Sequence, residues 1–465
     1  MTTTDAEGFA TDTPLHALSP LDGRYKAATL PLRDFFSERA LFRYRVQVEV
    51  LYFIALCREV PEITALQGTT DAQLAALRAA TFENFSASDA RRIRAIEQIT
   101  RHDLKAVEYF VKERARGVAG LAARAEFIHF GLTSQDVNNT AIPMLLRDAL
   151  ERVYLPGLQR VLRALRDRLT GWNHAMLART HGQPATPTNL AKEFAVWIER
   201  VEGQQAQLRG IAASGKFGGA SGNLNAHRVA FPGVDWVGFA NGFLRNYLGL
   251  TRQRYTTQVE HYDHIAAVCD ACARVQRILM DLCADTWWYI SLGYFTQEVK
   301  PGEIGSSAMP HKVNPIDFEN AEGNLGLSNA LFHFIASKLP ISRLQRDLSD
   351  STVLRNLGVP FGHALVAFNS IERGIKKLRV NPQALERDLK NNWAVVAEGI
   401  QTILRREGFP NPYEALKEFT RGREDLDERI IHEFIDSLPG IREEVRRELK
   451  AITPLNYTGY SISHL

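Results

Sequence analysis

The chain has 465 residues and a formal net charge of +3, with 45% hydrophobic and 23% charged residues. This length exceeds what one hydrophobic core usually serves, so two or three domains are expected. The small net charge gives no reason to expect a nucleic-acid or membrane partner, but it agrees with a small anionic substrate held by local cations. Four cysteines in a chain of this length do not indicate a disulfide framework.

Residues 1–17 are polar, with several Thr and Asp, and lack the basic and apolar regions of a signal peptide. We expect a frayed tail there. Nowhere do about 18 apolar residues follow one another, so no membrane span is predicted. These features predict a soluble, cytoplasmic protein.

Apolar residues recur at helical spacing through much of the chain, including residues 32–56 and 86–110. Two series step by three and four, which is the a/d spacing of packed helices. They are Leu155, Leu158, Leu162, Leu165 and Leu169, and then Val268, Cys272, Val275, Leu279 and Leu282. We predict an all-α protein, with a small helical domain at 1–120, an elongated bundle of long helices at 121–375 and a C-terminal helical domain at 376–465. Such a bundle favours oligomerisation.

Four residues of the types that bind zinc lie close together in the sequence. They are His261, His264, Cys269 and Cys272, within a helix expected from about His261 to Phe295. On one helix the first and last of these stand about 16 Å apart. Ligands within about 2.3 Å of one metal ion cannot be supplied in that way. We therefore predict packed core thiols and no metal site.

Residues 305–315 bring several reactive and charged groups together in one short segment. The segment reads G-S-S-A-M-P-H-K-V-N-P, and its glycine and prolines predict a loop. Asn314 is a suitable N-cap and Pro315 a suitable first helical residue, so a helix is expected to follow. Free backbone N–H groups at such a start favour an anion. The hydroxyls, imidazole, ammonium and amide are groups that can take a proton and stabilise the resulting negative charge.

This segment resembles the signature of the fumarase/aspartase superfamily, whose members eliminate fumarate from a succinyl group. The longer run, with His311 before Lys312 and I-D-F-E-N after the loop, is similar to the adenylosuccinate lyase branch. Residues 133–136, T-S-Q-D, resemble the first superfamily signature, and residues 179–187, R-T-H-G-Q-P-A-T-P, resemble the second. The resemblance implies an all-α lyase that acts on a purine nucleotide. Because the sequence has neither a ligand cluster with workable geometry nor a dinucleotide fingerprint, we expect that no metal or organic cofactor takes part.

The resemblance also assigns roles to residues. It makes Ser306 the general base and His181 the general acid, with His102 in reserve, and it makes Thr133 and Ser134 ligands of a succinyl carboxylate. The other expected substrate contacts are Arg24, Tyr25, Arg101, His102, Asp103, Gln258, Ser307, Lys312, Val313, Asn314, Asn320, Arg346, Ser351, Thr352, Val353, Leu354 and Arg355. Arg101 departs from the branch, where Asn is usual at this position.

Residue types alone allow plainer interpretations. Thr133 is also a good N-cap, with Asp136 in the first turn. His181 lies in a segment, residues 178–187, whose glycine and prolines predict a loop leading into a helix near Asn189. No strand signal precedes the glycine-rich residues 216–225 and the G-x-G-x-x-G spacing is absent, so we expect a turn near the site and no dinucleotide cradle.

Two other functions remain open. The chain could be an argininosuccinate lyase or another superfamily member, or a non-catalytic helical scaffold. For the lyase, we expect a homotetramer with shared sites, because long helices separate the three signature segments along the chain. The resemblance implies that the three signatures of each site come from three subunits.

Overall fold

A computed structural model describes residues 14–298, 309, 312–423 and 426–459. Helices dominate this part of the chain, so the predicted all-α class is confirmed. The α-helices are α1 (Lys26–Thr29), α2 (Arg33–Phe36), α3 (Glu38–Glu59), α4 (Asp71–Arg78), α5 (Ala87–Thr100), α6 (Asp103–Arg116), α7 (Ser134–Ala149), α8 (Leu155–Leu169), α9 (Leu190–Arg209), α10 (Asn225–Ala230), α11 (Trp236–Gly242), α12 (Asp263–Ser291), α13 (Ile316–Lys338), α14 (Ser349–Leu354), α15 (Gly358–Lys377), α16 (Pro382–Lys390), α17 (Ala397–Arg406), α18 (Pro412–Thr420), α19 (Glu428–Ser437) and α20 (Glu443–Lys450).

Short elements complete the description. The strands are β1 (Ala175–Thr180), β2 (Gln183–Asn189), β3 (Ser214–Gly215), β4 (Thr251–Arg252), β5 (Phe295–Gln297) and β6 (Leu378–Val380). They pair as β1–β2 and β5–β6, both antiparallel, and as β3–β4, parallel. 3₁₀ segments lie at Pro14–His16, Leu30–Leu32, Thr64–Leu66, Ala122–Phe127, Thr170–Trp172 and Trp393–Val396, and π-helical turns at Ala79–Glu83, Leu150–Tyr154 and Phe243–Leu248.

The chain divides into two compact units. Unit 1 comprises Met1–Gln159, Gly203–Arg277 and Gly323–Asn369, and unit 2 comprises Arg160–Glu202, Ile278–Glu322 and Ser370–Leu465. The boundaries fall inside α8, α9, α12, α13 and α15. The predicted division at residues 120 and 375 stays a prediction.

Helix α3 is central to unit 1. The Ser37 hydroxyl accepts a hydrogen bond from the Ala40 N–H at 3.2 Å and so caps its start. The helix packs against α6 and α7 and is buried over most of its circumference. As a result two charged residues, Arg45 and Glu49, are carried into the interior. Such residues need charged or hydrogen-bonding partners nearby.

The helical stretch predicted at 86–110 is two helices. α5 ends because Arg101 adopts the left-handed conformation, with φ of 55°. The His102 side chain then accepts a hydrogen bond from the Lys105 N–H and caps α6. The expectation of helix within residues 86–110 is confirmed, and the break between the two helices depends on the left-handed conformation of Arg101.

The two series of a/d residues are buried, as predicted. The helix expected from His261 to Phe295 is α12, which differs from the prediction by a few residues at each end. Cys269 and Cys272 lie in the core, and burial raises the pKa of the Cys272 thiol to about 12. Across the described residues, no group of three or more His, Cys, Asp or Glu is placed to hold a metal ion.

The predicted loop at 178–187 in unit 2 is wrong, because these residues belong to the β1–β2 hairpin. Thr180 pairs with Gln183 around a two-residue turn. Pro184 and Pro187 are tolerated because each strand of a two-stranded sheet is an edge strand. The predicted helix start is confirmed, since α9 begins at Leu190.

The C-terminal part of unit 2 has its own apolar core, to which α17, α19 and α20 contribute. It follows Asn381, whose side-chain oxygen accepts a hydrogen bond from the Ala384 N–H at 3.2 Å. Pro382 is the first residue of α16, as its fixed φ favours. The helix predicted to follow Asn314 is α13, which begins at Ile316, one residue after the expected Pro315.

Candidate active site

The first signature segment lies at the start of α7 in unit 1. The Thr133 N–H donates to Oδ2 of Asp136 at 2.9 Å, so the predicted capping interaction is confirmed. Thr133 and Ser134 are half-buried. Their hydroxyls therefore lie at the positive end of a helix, where a carboxylate is favoured.

Two expected substrate residues, Gln258 and Arg346, are in contact in unit 1. Arg346 Nη1 donates to Gln258 Oε1 at 3.4 Å, and Gln258 Nε2 donates to the Ala220 carbonyl at 3.2 Å. Arg346 Nε also lies 3.7 Å from Asp350 Oδ2. The buried Asp350 accepts a further hydrogen bond from the Tyr262 hydroxyl at 2.9 Å. These contacts hold an amide and a cation side by side.

A second group in unit 1 is centred on Asp103. Its Oδ2 lies 3.0 Å from Arg45 Nη2 and 3.3 Å from Arg355 Nη2. Arg355 Nη1 donates to the Ser351 hydroxyl at 2.9 Å. Burial alone would raise the pKa of the Asp103 carboxyl, but the guanidinium groups of Arg45 and Arg355 outweigh it and lower that pKa. Asp103 is therefore a carboxylate that orients two cations.

A cavity lies beside this group. Its polar lining includes Arg45, Gln135, Asn138, Ser351 and Arg355, and its apolar lining includes Phe35 and Phe36. Polar groups beside aromatic walls suit a ligand that carries both an anionic group and a flat apolar ring.

The turn that contains Arg24 and Tyr25 lies near the same region. Asp22 shares the lining of a neighbouring cavity with Arg33 and Arg355. Arg24 is exposed, and Tyr25 is half-buried at the start of α1. Arg24 and Tyr25 thus follow closely in the chain after a residue, Asp22, that lines the same cavity as Arg355.

Arg101 and His102 are both exposed. His102 Nδ1 accepts the Lys105 N–H at 3.1 Å, so the neutral ring carries its proton on Nε2. On α14 and just after it, burial differs along the segment 351–355: Thr352 and Arg355 are exposed, Ser351 and Leu354 half-buried and Val353 buried.

His181 occupies the tip of the β1–β2 hairpin in unit 2. His181 and Gly182 have φ of 53° and 75°, the signs found in a type I′ turn. The hairpin is anchored by an ion pair from Arg179 to Asp388 at 2.6 Å, and by a hydrogen bond from the Thr186 hydroxyl to Glu398 at 2.5 Å. The exposed His181 ring therefore lies at the tip of a hairpin that these two contacts hold in place.

The third signature is described only from Lys312 onward, apart from Met309. Ser306 and Ser307 lie outside the described residues. Lys312 is exposed, and its N–H donates to the Met309 carbonyl at 3.0 Å. Two contacts hold the residues after Lys312: the Val313 carbonyl accepts from Gln297 Nε2 at 3.0 Å, and Asn320 Oδ1 accepts from the Ser370 hydroxyl at 2.9 Å. Asn314 is half-buried.

Comparison with known proteins agrees with these features. Residues 23–327 match the family described as Lyase, and residues 342–458 match the family described as Adenylosuccinate lyase C-terminal. The adenylosuccinate lyase of Dictyostelium discoideum is 53% identical over 96% of this chain and 97% of its own length. That of Escherichia coli K12 is 48% identical over 97% of this chain and 98% of its own length.

The chain belongs to the adenylosuccinate lyase family. This family of lyases is part of the fumarase/aspartase superfamily. Solved structures support the fold assignment. The 3-carboxy-cis,cis-muconate lactonizing enzyme of Pseudomonas putida matches with a TM-score of 0.72 and 20% identity, over 92% of this chain and 94% of that one. A fumarate lyase from Mesorhizobium matches with a TM-score of 0.70 and 22% identity, over 92% and 95%.

Membership of the adenylosuccinate lyase family decides between the functions that the sequence left open. Neither the argininosuccinate lyase alternative nor the non-catalytic scaffold gains support from the comparisons. Within the described ranges, no helix is long and apolar enough to cross a membrane.

Several residues of this site escaped the sequence analysis. They are charged or polar side chains inside unit 1, namely Arg45, Lys216, Tyr262 and Asp350. One signal was available for Arg45, because it and Glu49 stand one turn apart within residues 44–56, where Gln47 is the one other residue that is not hydrophobic. The other three carry no local mark that separates them from solvated residues.

Proposed function

We propose that this chain eliminates fumarate from adenylosuccinate to give AMP, and from the succinyl-aminoimidazole-carboxamide ribotide, in purine nucleotide biosynthesis. The observation that carries the proposal is identity of 53% to an adenylosuccinate lyase over 96% of the chain. The group formed by Asp103, Arg355 and Ser351 supports it, because an oriented guanidinium beside a hydroxyl is suited to a phosphate.

The reaction needs two proton movements. A proton leaves the carbon next to one carboxylate of the succinyl group, and the nitrogen on the neighbouring carbon is protonated as it departs. The carbon acid is very weak, so fixed positive groups must stabilise the charge that develops on the carboxylate. Lys312 and Asn314 supply an ammonium and an amide, and the start of α7 supplies helix-end N–H groups with the Thr133 and Ser134 hydroxyls.

We assign Ser306 as the base and His181 as the acid. An imidazole titrates near neutral pH and suits proton donation to the leaving nitrogen. The anchored hairpin supports this role, because a general acid must be held within hydrogen-bond reach of the atom it protonates. Exposed His102 remains the reserve candidate.

The nucleotide half of the substrate is assigned to unit 1. Arg355 and Ser351, with Arg24 and Tyr25, bind the phosphate, and Asp103 orients Arg355. The other proposed substrate contacts are Arg101, His102, Gln258, Ser307, Val313, Asn320, Arg346, Thr352, Val353 and Leu354.

The reaction needs no metal or organic cofactor, and the enzyme acts in the cytoplasm.

We further propose a homotetramer in which each site takes its three signature segments from three subunits. Large apolar side chains that stay exposed on two long helices support an extensive interface between copies. On α12 these are Trp287 and Trp288, 39% and 58% exposed, and on α13 Leu327 and Phe334, 56% and 53% exposed.

The decisive experiment is a fumarate-release assay of the purified chain. Adenylosuccinate, the succinyl-carboxamide ribotide and argininosuccinate are offered in parallel. Fumarate is expected from the first two, with AMP formed in equal amount from adenylosuccinate. Release of fumarate from argininosuccinate alone would show that the chain is an argininosuccinate lyase. Release of fumarate from none of the three compounds would favour the non-catalytic scaffold.

A further inference from the structure

Lys216 and Asp136 form an ion pair deep inside unit 1. Lys216 Nζ lies 2.7 Å from Asp136 Oδ1, and both side chains are 0% exposed. Removing two charges from water is costly, and burial lowers the pKa of Lys216. A hydrophobic pair of similar volume is often as stable as a buried ion pair. Stability alone therefore gives no reason for these two residues.

The pair ties a glycine-rich turn to the start of α7. Asp136 Oδ1 accepts the Gly218 N–H at 2.8 Å, and both carboxylate oxygens lie 3.1 Å from the Gly219 nitrogen. Asp136 Oδ2 accepts the Thr133 N–H at 2.9 Å. Lys216 Nζ also donates to the Gly219 carbonyl at 2.5 Å. One carboxylate and one ammonium thus fix two backbone segments that are far apart in the sequence.

The same turn supports Gln258. Its Nε2 donates to the Ala220 carbonyl at 3.2 Å. The turn and the segment before Gln258 approach closely, since a Cβ added at Gly222 would stand 2.3 Å from the Thr256 carbonyl oxygen. A shift of the turn would therefore displace Gln258.

We infer that Lys216 and Asp136 are positioning residues for the elimination: they hold the Thr133 and Ser134 hydroxyls and the Gln258 amide in one arrangement around the succinyl half of the substrate. The inference rests on the proposed function. Neither residue of the pair touches the reacting atoms. They act by placing the hydroxyls and the amide that contact the substrate. A displacement of such a group by about 1 Å is enough to lower the reaction rate by orders of magnitude.

Binding of the nucleotide half of the substrate serves as an internal control for binding of the succinyl half. Arg355 is held by Ser351 and Asp103, and neither contact passes through the glycine-rich turn. A change in the buried pair should therefore weaken binding of the succinyl half and spare binding of the nucleotide half. A variant that lost only stability would not weaken binding of one half of the substrate and spare binding of the other.

The test replaces Lys216 with methionine and measures inhibition by each product. For Lys216→Met, we expect kcat/KM for adenylosuccinate and the affinity for fumarate each to fall at least about tenfold, and the affinity for AMP to change less than about twofold. Leu77→Ala, which opens a cavity in α4, is the control for lost stability and should keep wild-type constants below its melting temperature.

A second variant covers the case in which Lys216→Met does not fold. Asp136→Asn keeps the volume of the side chain and removes the charge, and the same separation of fumarate from AMP is expected. The inference is overturned if a folded variant of either residue loses affinity for both products together or for neither. Failure of the proposed function is distinct, because the wild-type chain would then release no fumarate from adenylosuccinate or from the succinyl-carboxamide ribotide.

Discussion

Asp103 and Arg355, 252 positions apart in the sequence, form an ion pair in which Oδ2 lies 3.3 Å from Nη2. The same carboxylate oxygen lies 3.0 Å from Nη2 of Arg45, whose side chain is 3% exposed. Asp103 therefore links a buried cation to an exposed one. This arrangement presents Arg355 in a defined direction, as phosphate recognition requires.

Replacement of Asp103 by asparagine should weaken substrate binding. Asn keeps the shape of the side chain but loses the charge that orients Arg355. A hydrogen bond to a charged group is worth about 1.5–3 kcal/mol, so KM for adenylosuccinate should rise about tenfold or more. Asp71→Asn, at an exposed ion pair with Arg58, is the matched control and should leave KM unchanged. Equal KM values for the Asp103 variant and the wild type would contradict the assignment.

Replacement of Ser306 by alanine should remove the base. Turnover should fall at least about 10²-fold, the low end for a positioned acid or base. Binding of AMP should persist, because Arg355 and Ser351 are unchanged. Ser337→Ala, at an exposed hydroxyl of α13, should keep full turnover. Near-normal turnover in the Ser306 variant would remove this residue from the mechanism.

Two inactive proteins should restore activity when mixed. His181→Ala and Ser306→Ala chains are refolded together in equal amounts. If the two residues of a site come from different subunits, about a quarter of the sites contain both intact groups. The controls are each variant refolded alone, which should stay nearly inactive. Mixed tetramers that regain no activity would rule out shared sites of this kind.

Removal of metal ions should leave the reaction intact. In the proposed mechanism, the charge that develops on the carboxylate is stabilised by Lys312, Asn314 and the backbone N–H groups at the start of α7. Exhaustive chelation followed by the fumarate assay should give unchanged kcat and KM. A loss of activity that one divalent ion reverses would show that the mechanism is incomplete.

His227 should make the folded chain sensitive to acid. The fully buried ring has its Nε2 2.9 Å from the Tyr52 hydroxyl, which donates to the Phe130 carbonyl at 2.7 Å. Burial lowers the pKa of His227 to about 4, against about 6.5 in an unfolded chain. Between these values the unfolded state binds a proton that the folded state does not, so stability falls as the pH falls.

The effect can be measured with a variant that cannot titrate. Between pH 7 and pH 5 the wild type should lose about 2 kcal/mol more free energy of unfolding than His227→Asn. Urea unfolding of both proteins at one protein concentration gives the difference, and the other histidines titrate equally in both. Identical pH dependence would show that His227 does not remain neutral in the folded state.

Local sequence rules predicted much of the helical framework. The a/d series of α8 and α12 is buried, and the helix starts expected near Asn189 and Asn314 occur within a residue or two of their expected places. Spacing and capping act within one or two turns of the chain, so they can be seen in the sequence. The β1–β2 hairpin was missed because its glycine and prolines indicate a loop locally, whereas its strands exist through pairing with each other.

The motifs identified the family and the expected substrate residues, but not how those residues meet. Gln258 and Arg346, 88 positions apart, and Asp103 and Arg355 come into contact only through the packing of unit 1. Arg45 and Lys216 show the limit most clearly, since each is a charged residue that local rules place in solvent. A charge can remain buried only where other segments bring it partners, and that condition is met by tertiary structure alone.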